Sequence, residues 1–309
     1  MLLFGLGNSL RIHAASCFVL LDVDRFYDNL RLGFVPKPIR DKPEVAMYDN
    51  VNPKECNPPG THCETVAHPG GGEATIEKAV IMEHRFAFFF WMKWYHRLRK
   101  QDQLNQPPTL LTIDWHRDLA PPNESQKEEL RRLNPDNLSD VANFVWAQFD
   151  QTNDGHVLSA AWLNLIGDII LLKHSASEMQ ETFTDHQGNE HEIFEFREYE
   201  PLRDFLQKRD DQRLFLDIDL DYFIHGKGTR EGPQSDDFQT YSKSEIKRII
   251  DPSNALFKYL LPRLEGLTIA QEPAFCGGIY NSSRIMEVVD HQLFDEHNRW
   301  RHQAKANKS

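Results

Sequence analysis

The sequence predicts an α/β fold in which helices pack on both sides of a central, mostly parallel sheet. Three observations predict it. Short apolar runs recur at residues 78–82, 109–113, 166–172, 214–216 and 267–270. Longer stretches with helical spacing lie between several of them. Most of the runs stop at acidic or histidine residues, as expected where loops after parallel strands carry the ligand-binding groups.

Taken in order, residues 1–74 read as an N-terminal extension rich in loops. Within it, 16–21 (SCFVLL) has the composition of a strand, whereas 36–72 is rich in Pro, Gly, Asn and Asp, residues that favour turns. Cys56, His62, Cys63 and His68 lie there; these soft donors suit zinc, but their spacing is none of the usual paired-cysteine patterns, so a plain insertion is the expectation. The leading residues are apolar but lack a basic start and are interrupted by Arg11 and His13, which argues against a secretory leader.

Residues 75–300 form the main domain, and 301–309 a polar tail. The run 78–82 (KAVIM) is a short strand ended by Glu83 and His84. Residues 85–100 follow as a helix whose Phe86, Phe88, Phe89, Phe90, Trp91 and Trp94 supply core. Lys93, Arg97, Arg99 and Lys100 gather at its C-terminal end, where the helix dipole favours cations. A buried strand at 109–113 (TLLTI) runs into Asp114-Trp115-His116-Arg117-Asp118. The polar segment 121–134 then precedes a helix near 138–149, and 166–172 is again apolar. Residues 181–196 alternate around His186-Gln187-Gly188-Asn189, the pattern of a β-hairpin. The strand 214–216 (LFL) leads straight into Asp217-Ile218-Asp219-Leu220-Asp221. Helices are expected at 244–250 and 253–264, a last strand at 267–270 (LTIA) ending at Gln271-Glu272, and a closing helix at 283–294.

Composition excludes several functions. Thirty-five basic against 47 acidic residues give a net charge of −12, which argues against nucleic acid because neutralising phosphates needs a basic face. The same charge favours cationic ligands. No run approaches the ~20 apolar residues that span a bilayer, so no membrane partner is expected. Four scattered cysteines do not make a disulfide framework, and a reducing compartment, most simply the cytoplasm, fits them.

The chemistry concentrates at the strand ends. In Asp114-x-His116-x-Asp118, alternate residues on an extended turn point the same way, and Asp217-x-Asp219 repeats the device about a hundred residues later. Either motif alone also fits a helix cap or a turn. Together with His84 at a third strand end, they favour a shared metal site. Two histidines and four aspartates make a hard, oxygen-rich donor set that suits Mn²⁺ better than structural zinc. Four carboxylates balance two divalent ions, and six ligands are too many for one ion with open positions, so two metals per chain are expected. Other motifs fail on inspection. Asp150-x-Thr152-x-Asp154-Gly155 opens like a calcium loop, but Ala161 stands where the closing glutamate belongs. Gly5-x-Gly7 lacks its third glycine, with Leu10 in that place. Cys276, before Gly277-Gly278, shows no nucleophile elbow.

The order His84, then Asp114-Trp115-His116-Arg117-Asp118, then Asp217-Ile218-Asp219 resembles the ureohydrolase superfamily of arginases and agmatinases. The local wording (MEHRFAFFFW, LLTIDWHRDL, LFLDIDLDYF) looks closer to its peptide arginase branch, over roughly residues 76–290. The resemblance implies an arginase-like three-layer fold and manganese-dependent hydrolysis of arginine side chains in a ribosomally made precursor peptide, giving ornithine and urea. It implies that His84, Asp114, Asp118 and Asp217 hold one manganese, and that Asp114, His116, Asp217 and Asp219 hold the other. Asp118 would also orient the attacking water, and Glu272 would grip the substrate guanidinium. His156 is the implied proton shuttle, with His225 its rival, and Asp221 takes a supporting role. The G-G-D-H segment of arginases is replaced by Met82-Glu83-His84, and S-x-D-x-D-x-x-D-P is altered after the aspartate pair; both changes weigh against free arginine or agmatine as substrate. Two alternatives stand beside this reading: a one-zinc, deacetylase-like amide hydrolase on the same fold, and a catalytically silent peptide-binding relative.

Overall fold

The computed structural model describes residues 56–71, 73–101, 104–149, 153–174, 180–211, 213–225 and 238–294. The predicted strand at 16–21, Gly5-x-Gly7, the first three residues of the calcium-like loop (150–152) and the polar tail lie outside these residues. Among the described residues, no helix is long and apolar enough to cross a membrane.

The fold is α/β, built on an eight-stranded sheet. Its strands are β1 (His62–Ala67), β2 (Thr75–Ile81), β3 (Thr109–Asp114), β4 (Ile169–Lys173), β5 (Gln180–Thr184), β6 (Glu190–Phe196), β7 (Leu214–Asp219) and, after a small two-stranded ribbon of β8 (Ile224–His225) and β9 (Gln239–Thr240), β10 (Leu264–Ala270). Their spatial order is β1-β2-β10-β7-β3-β4-β6-β5. The six from β2 to β6 run parallel, and β1 and β5 close the edges antiparallel. Strands β3, β4 and β7 are buried along their whole length, which is why they read as continuous apolar runs instead of alternating ones.

Helices cover both faces. One carries α1 (Ala87–Lys100), α2 (Glu124–Arg132), α3 (Leu138–Ala147) and α4 (His156–Trp162), whose apolar residues share one core. The other carries α5 (Tyr199–Leu206), α6 (Lys243–Ile249), α7 (Ala255–Leu260) and α8 (Ile279–Phe294). Phe86, Phe88, Phe89, Phe90, Trp91 and Trp94 are all buried, each stabilising the fold by roughly 2–3 kcal/mol of area removed from water. Trp94 packs closely on Gly266 of β10, which has no side chain; a Cβ there would collide with the indole ring.

Three differences from the sequence expectations have clear causes. The loop-rich stretch before residue 75 contains β1, whose partner β2 supplies the pairing that local composition does not. The polar segment 121–134 contains α2, started by a capping box: Asn123 Oδ1 accepts from Gln126 N at 3.0 Å, and Gln126 Oε1 accepts from Asn123 N at 2.9 Å. Helix α5 sits where no helix was expected and buries only Leu202 and Leu206.

The connectivity positions the site. From β3 the chain moves outward to β4; from β7 it moves the other way, to β10. Adjacent strands whose connections diverge leave a crevice at their carboxyl ends. Asp114 ends β3 and Asp219 ends β7, so both stand at that crevice. The opposite end of the sheet is closed by ion pairs and hydrogen bonds: Asp211 accepts from Arg209, from Thr109 Oγ1 at 2.8 Å and from Tyr259 Oη at 3.0 Å.

Candidate metal centre

Strand ends bring the predicted residues together. His84 opens the 3-10 turn His84–Phe86 after β2 and is fully buried. Its Nδ1 lies 2.9 Å from Asp118 Oδ2, 3.1 Å from Asp219 Oδ2 and 3.5 Å from Asp114 Oδ2. Beside it, His116 Nδ1 lies 2.8 Å from Asp221 Oδ2 and 3.9 Å from Asp114 Oδ1. His84 Nδ1, Asp114 Oδ2, Asp219 Oδ2 and Asp221 Oδ2 are buried, yet none has a hydrogen-bond partner. Leaving a buried polar atom unpaired costs about 1–3 kcal/mol, and more for a charged group. Four such atoms at one rim are accounted for if they converge on cations, so the donor set fits the implied metals.

The electrostatics agree. Burial pushes the carboxyls of Asp114 and Asp118 above their ordinary range, and neighbouring carboxylates push Asp114 further. Asp219 is pushed up to about 7 by burial and by Asp221. Burial alone would lower His116, but its contact with Asp221 lifts it to about 9. Carboxylates packed this closely ionise together only when positive charge is placed among them.

Asp217 stands apart from this group. It lies one alternation deeper in β7, opposite Thr112 on β3 and Thr268 on β10. Thr268 Oγ1 donates to its Oδ1, Thr112 Oγ1 donates to its Oδ2 at 2.9 Å, and His84 Nε2 lies 2.6 Å from Oδ2. Both oxygens are therefore occupied within the protein. Asp221, given a supporting role from sequence, instead points an unpaired oxygen at His116, while its Oδ1 accepts from Trp115 N at 3.1 Å. It sits in the 3-10 turn Leu220–Phe223, held by Asp221 N donating to Asp219 Oδ1 at 2.9 Å.

Glu272 and His156 complete the rim. Glu272 Oε1 accepts from His84 N at 3.0 Å and from Asn153 Nδ2 at 2.7 Å. The ring of His156, at the start of α4, lies 4.3 Å from that of His84, and its Nδ1 is 3.1 Å from Asn153 O. A carbonyl can only accept, so Nδ1 carries the proton and Nε2 the lone pair. Burial and nearby His84 hold this imidazole well below its usual range, hence neutral. His225 is exposed and its ring packs on Tyr241. Cys56, His62, Cys63 and His68 do not converge on a metal among the described residues; His68 Nε2 is bonded to Leu264 O at 2.8 Å. Asp118, Asn153 and Glu272 all have left-handed backbones, with φ of 49, 62 and 34°. Such residues cost on the order of 1 kcal/mol or more each, and they cluster where function holds them. Sequence reasoning gave Asp221 only a supporting role and missed Thr112, Thr268 and Asn153, which carry no local signal.

No family model and no curated protein matches the chain. Among solved structures it is similar to proclavaminate amidino hydrolase from Streptomyces clavuligerus, at 12% identity and a TM-score of 0.37 over 73% of this chain. The chain spans 63% of that protein's length.

Proposed function

We propose that this chain is a manganese-dependent hydrolase of the arginase type that releases urea from arginine side chains of a precursor peptide, leaving ornithine. One observation carries the reading: His84, Asp114, Asp219 and Asp221 turn buried, unpaired donor atoms toward one another at the divergence of β3 and β7. The D-x-D-x-D triplet can be laid on the S-x-D-x-D pattern in two registers, and the occupied oxygens of Asp217 favour the second. One ion then belongs to His84, Asp114, Asp118 and Asp219, and the other to Asp114, His116, Asp219 and Asp221. Asp217 holds the far nitrogen of His84, the usual second partner of a ligand histidine. When bound, the ions supply the positive charge that makes water a nucleophile at neutral pH.

The remaining roles belong to the protein's own side chains. Glu272, fixed through Oε1 by two donors, offers its other oxygen to the guanidinium and positions the reacting carbon. Asp118, beside His84, orients the attacking water. Hydrolysis breaks the bond between the guanidinium carbon and the side-chain nitrogen, which leaves as an amine after gaining a proton. Neutral His156, with its free lone pair on Nε2, is suited to relay that proton. The oxygen-rich donor set supports manganese over zinc. The peptide substrate is supported by the resemblance of the strand-end segments, and the scattered cysteines favour a cytoplasmic setting.

The test is urea release by the full chain with Mn²⁺, from an arginine-containing peptide beside free arginine, with metal counted per chain. Urea from the peptide at two metals per chain is expected. No urea from either substrate overturns the reading, and one zinc per chain with amide cleavage replaces it with the deacetylase-like alternative.

A further inference from the structure

We infer that Asn153 determines specificity: its side-chain carbonyl is the second acceptor, beside Glu272, for the substrate guanidinium. The inference rests on the site reading above and adds a recognition group to it.

The geometry of one planar amide carries the argument. Asn153 Nδ2 donates to Glu272 Oε1 at 2.7 Å, which places the whole amide against the carboxylate. Its other end, Oδ1, is buried and accepts no hydrogen bond. Among the described residues nothing donates to Glu272 Oε2 either. The rim thus holds a carboxylate oxygen and an amide oxygen on adjoining side chains, each without a donor. A guanidinium is a flat array of N–H donors with no acceptor, so it can satisfy both at once.

Charge explains why the second group is an amide. Glu272 is buried with Asp219 among its close neighbours. Another carboxylate in the place of Asn153 would add to their repulsion. An amide adds an acceptor without adding charge, and the pair presents one negative charge to one positive group. The same pair rejects an isostere that offers a carbonyl where arginine offers an amino group, because two acceptors would then face each other. Sites built around unpaired polar groups discriminate in this way.

The backbone permits a clean test. At φ 62°, position 153 is left-handed, which glycine adopts without strain. Asn153→Gly therefore removes the amide and keeps the main-chain carbonyl that accepts from His156 at 3.1 Å. Asn164→Gly, at φ 58° in the turn after α4, makes the same backbone change away from the rim and serves as control.

The full chain, loaded with Mn²⁺, is assayed on N-acetyl-Gly-Arg-Gly-amide, and the binding of this peptide is compared with that of its citrulline counterpart. Asn153→Gly should lower kcat/KM roughly 10- to 100-fold. It should also reduce the preference for arginine over citrulline in the binding constants by a similar factor. Bound metal and melting temperature should match those of wild type, and Asn164→Gly should match wild type throughout. Unchanged kcat/KM with an unchanged arginine preference in Asn153→Gly overturns the role of Asn153 while leaving the site reading intact. A wild-type chain that neither turns over nor prefers the arginine peptide overturns the site reading, and this inference with it.

Discussion

The two ends of the sheet both bury aspartates, and they treat them in opposite ways. At the amino ends of the strands, Arg209 donates to both oxygens of Asp211, and Thr109 and Tyr259 add two further donors. Although burial works against it, these donors hold the Asp211 carboxyl below its ordinary range. At the carboxyl ends, Asp114 and Asp219 are buried still more deeply, other carboxylates lie close by, and their acidities are pushed the other way. The first cluster closes its hydrogen bonds within the protein; the second leaves Asp114 Oδ2, Asp219 Oδ2 and His84 Nδ1 without hydrogen-bond partners. Burial of charge alone does not mark a functional site, and it is the unclosed hydrogen-bonding account that separates the two ends.

Four measurements sharpen or break this contrast. The largest effect is expected for Asp219→Ala, which should abolish both metal retention and urea release while the chain stays folded; retained activity would show that the carboxyl-end cluster is a closed structural network after all. Asp211→Ala should do the reverse, costing about 3 kcal/mol of stability in denaturant unfolding by removing the acceptor shared by Arg209, Thr109 and Tyr259, with metal content per folded chain unchanged. Asp217→Asn comes next: it disturbs the partner of His84 Nε2 without removing a ligand, and should weaken metal binding by roughly 10- to 100-fold in equilibrium dialysis. A loss as complete as that of Asp219→Ala would return Asp217 to the ligand set. The smallest effect is in pH. In the metal-free protein the folded values of Asp219, about 7, and His116, about 9, both lie above their unfolded values. Each contributes stability that is present below the unfolded value and lost as pH rises through the folded one. The melting temperature of the metal-free chain should therefore fall by a few degrees between about pH 4 and 9, the Asp219 share lost by about pH 7 and the His116 share between about 6.5 and 9, and saturating Mn²⁺ should flatten that slope. His156, held neutral, contributes in the opposite direction only at lower pH.

What could be read from the sequence follows from where the information resides. Strands β3, β7 and β10 were legible because burial on both faces writes itself as apolar runs, and the donors that end them were legible by position. Strand β1 was not, since its residues pair only because β2 lies beside them. The choice between Asp217 and Asp221 was not legible either. A repeat of period two fits either register, and what favours the proposed one is the hydroxyls of Thr112 and Thr268, from strands far off in sequence. Asn153 carried no motif at all; its meaning comes from touching Glu272 across 119 residues of chain.

The bare backbone of Gly266 has a consequence reaching well past its own strand. Trp94 rests there, and α1, which carries Trp94, begins just after the turn that holds His84. A single methyl group, Gly266→Ala, would lift the helix like a wedge under a beam and swing the imidazole at its far end out of place. If His84 ligates metal as proposed, metal affinity would then fall through a change that removes no donor atom, and would report how closely that helix is seated.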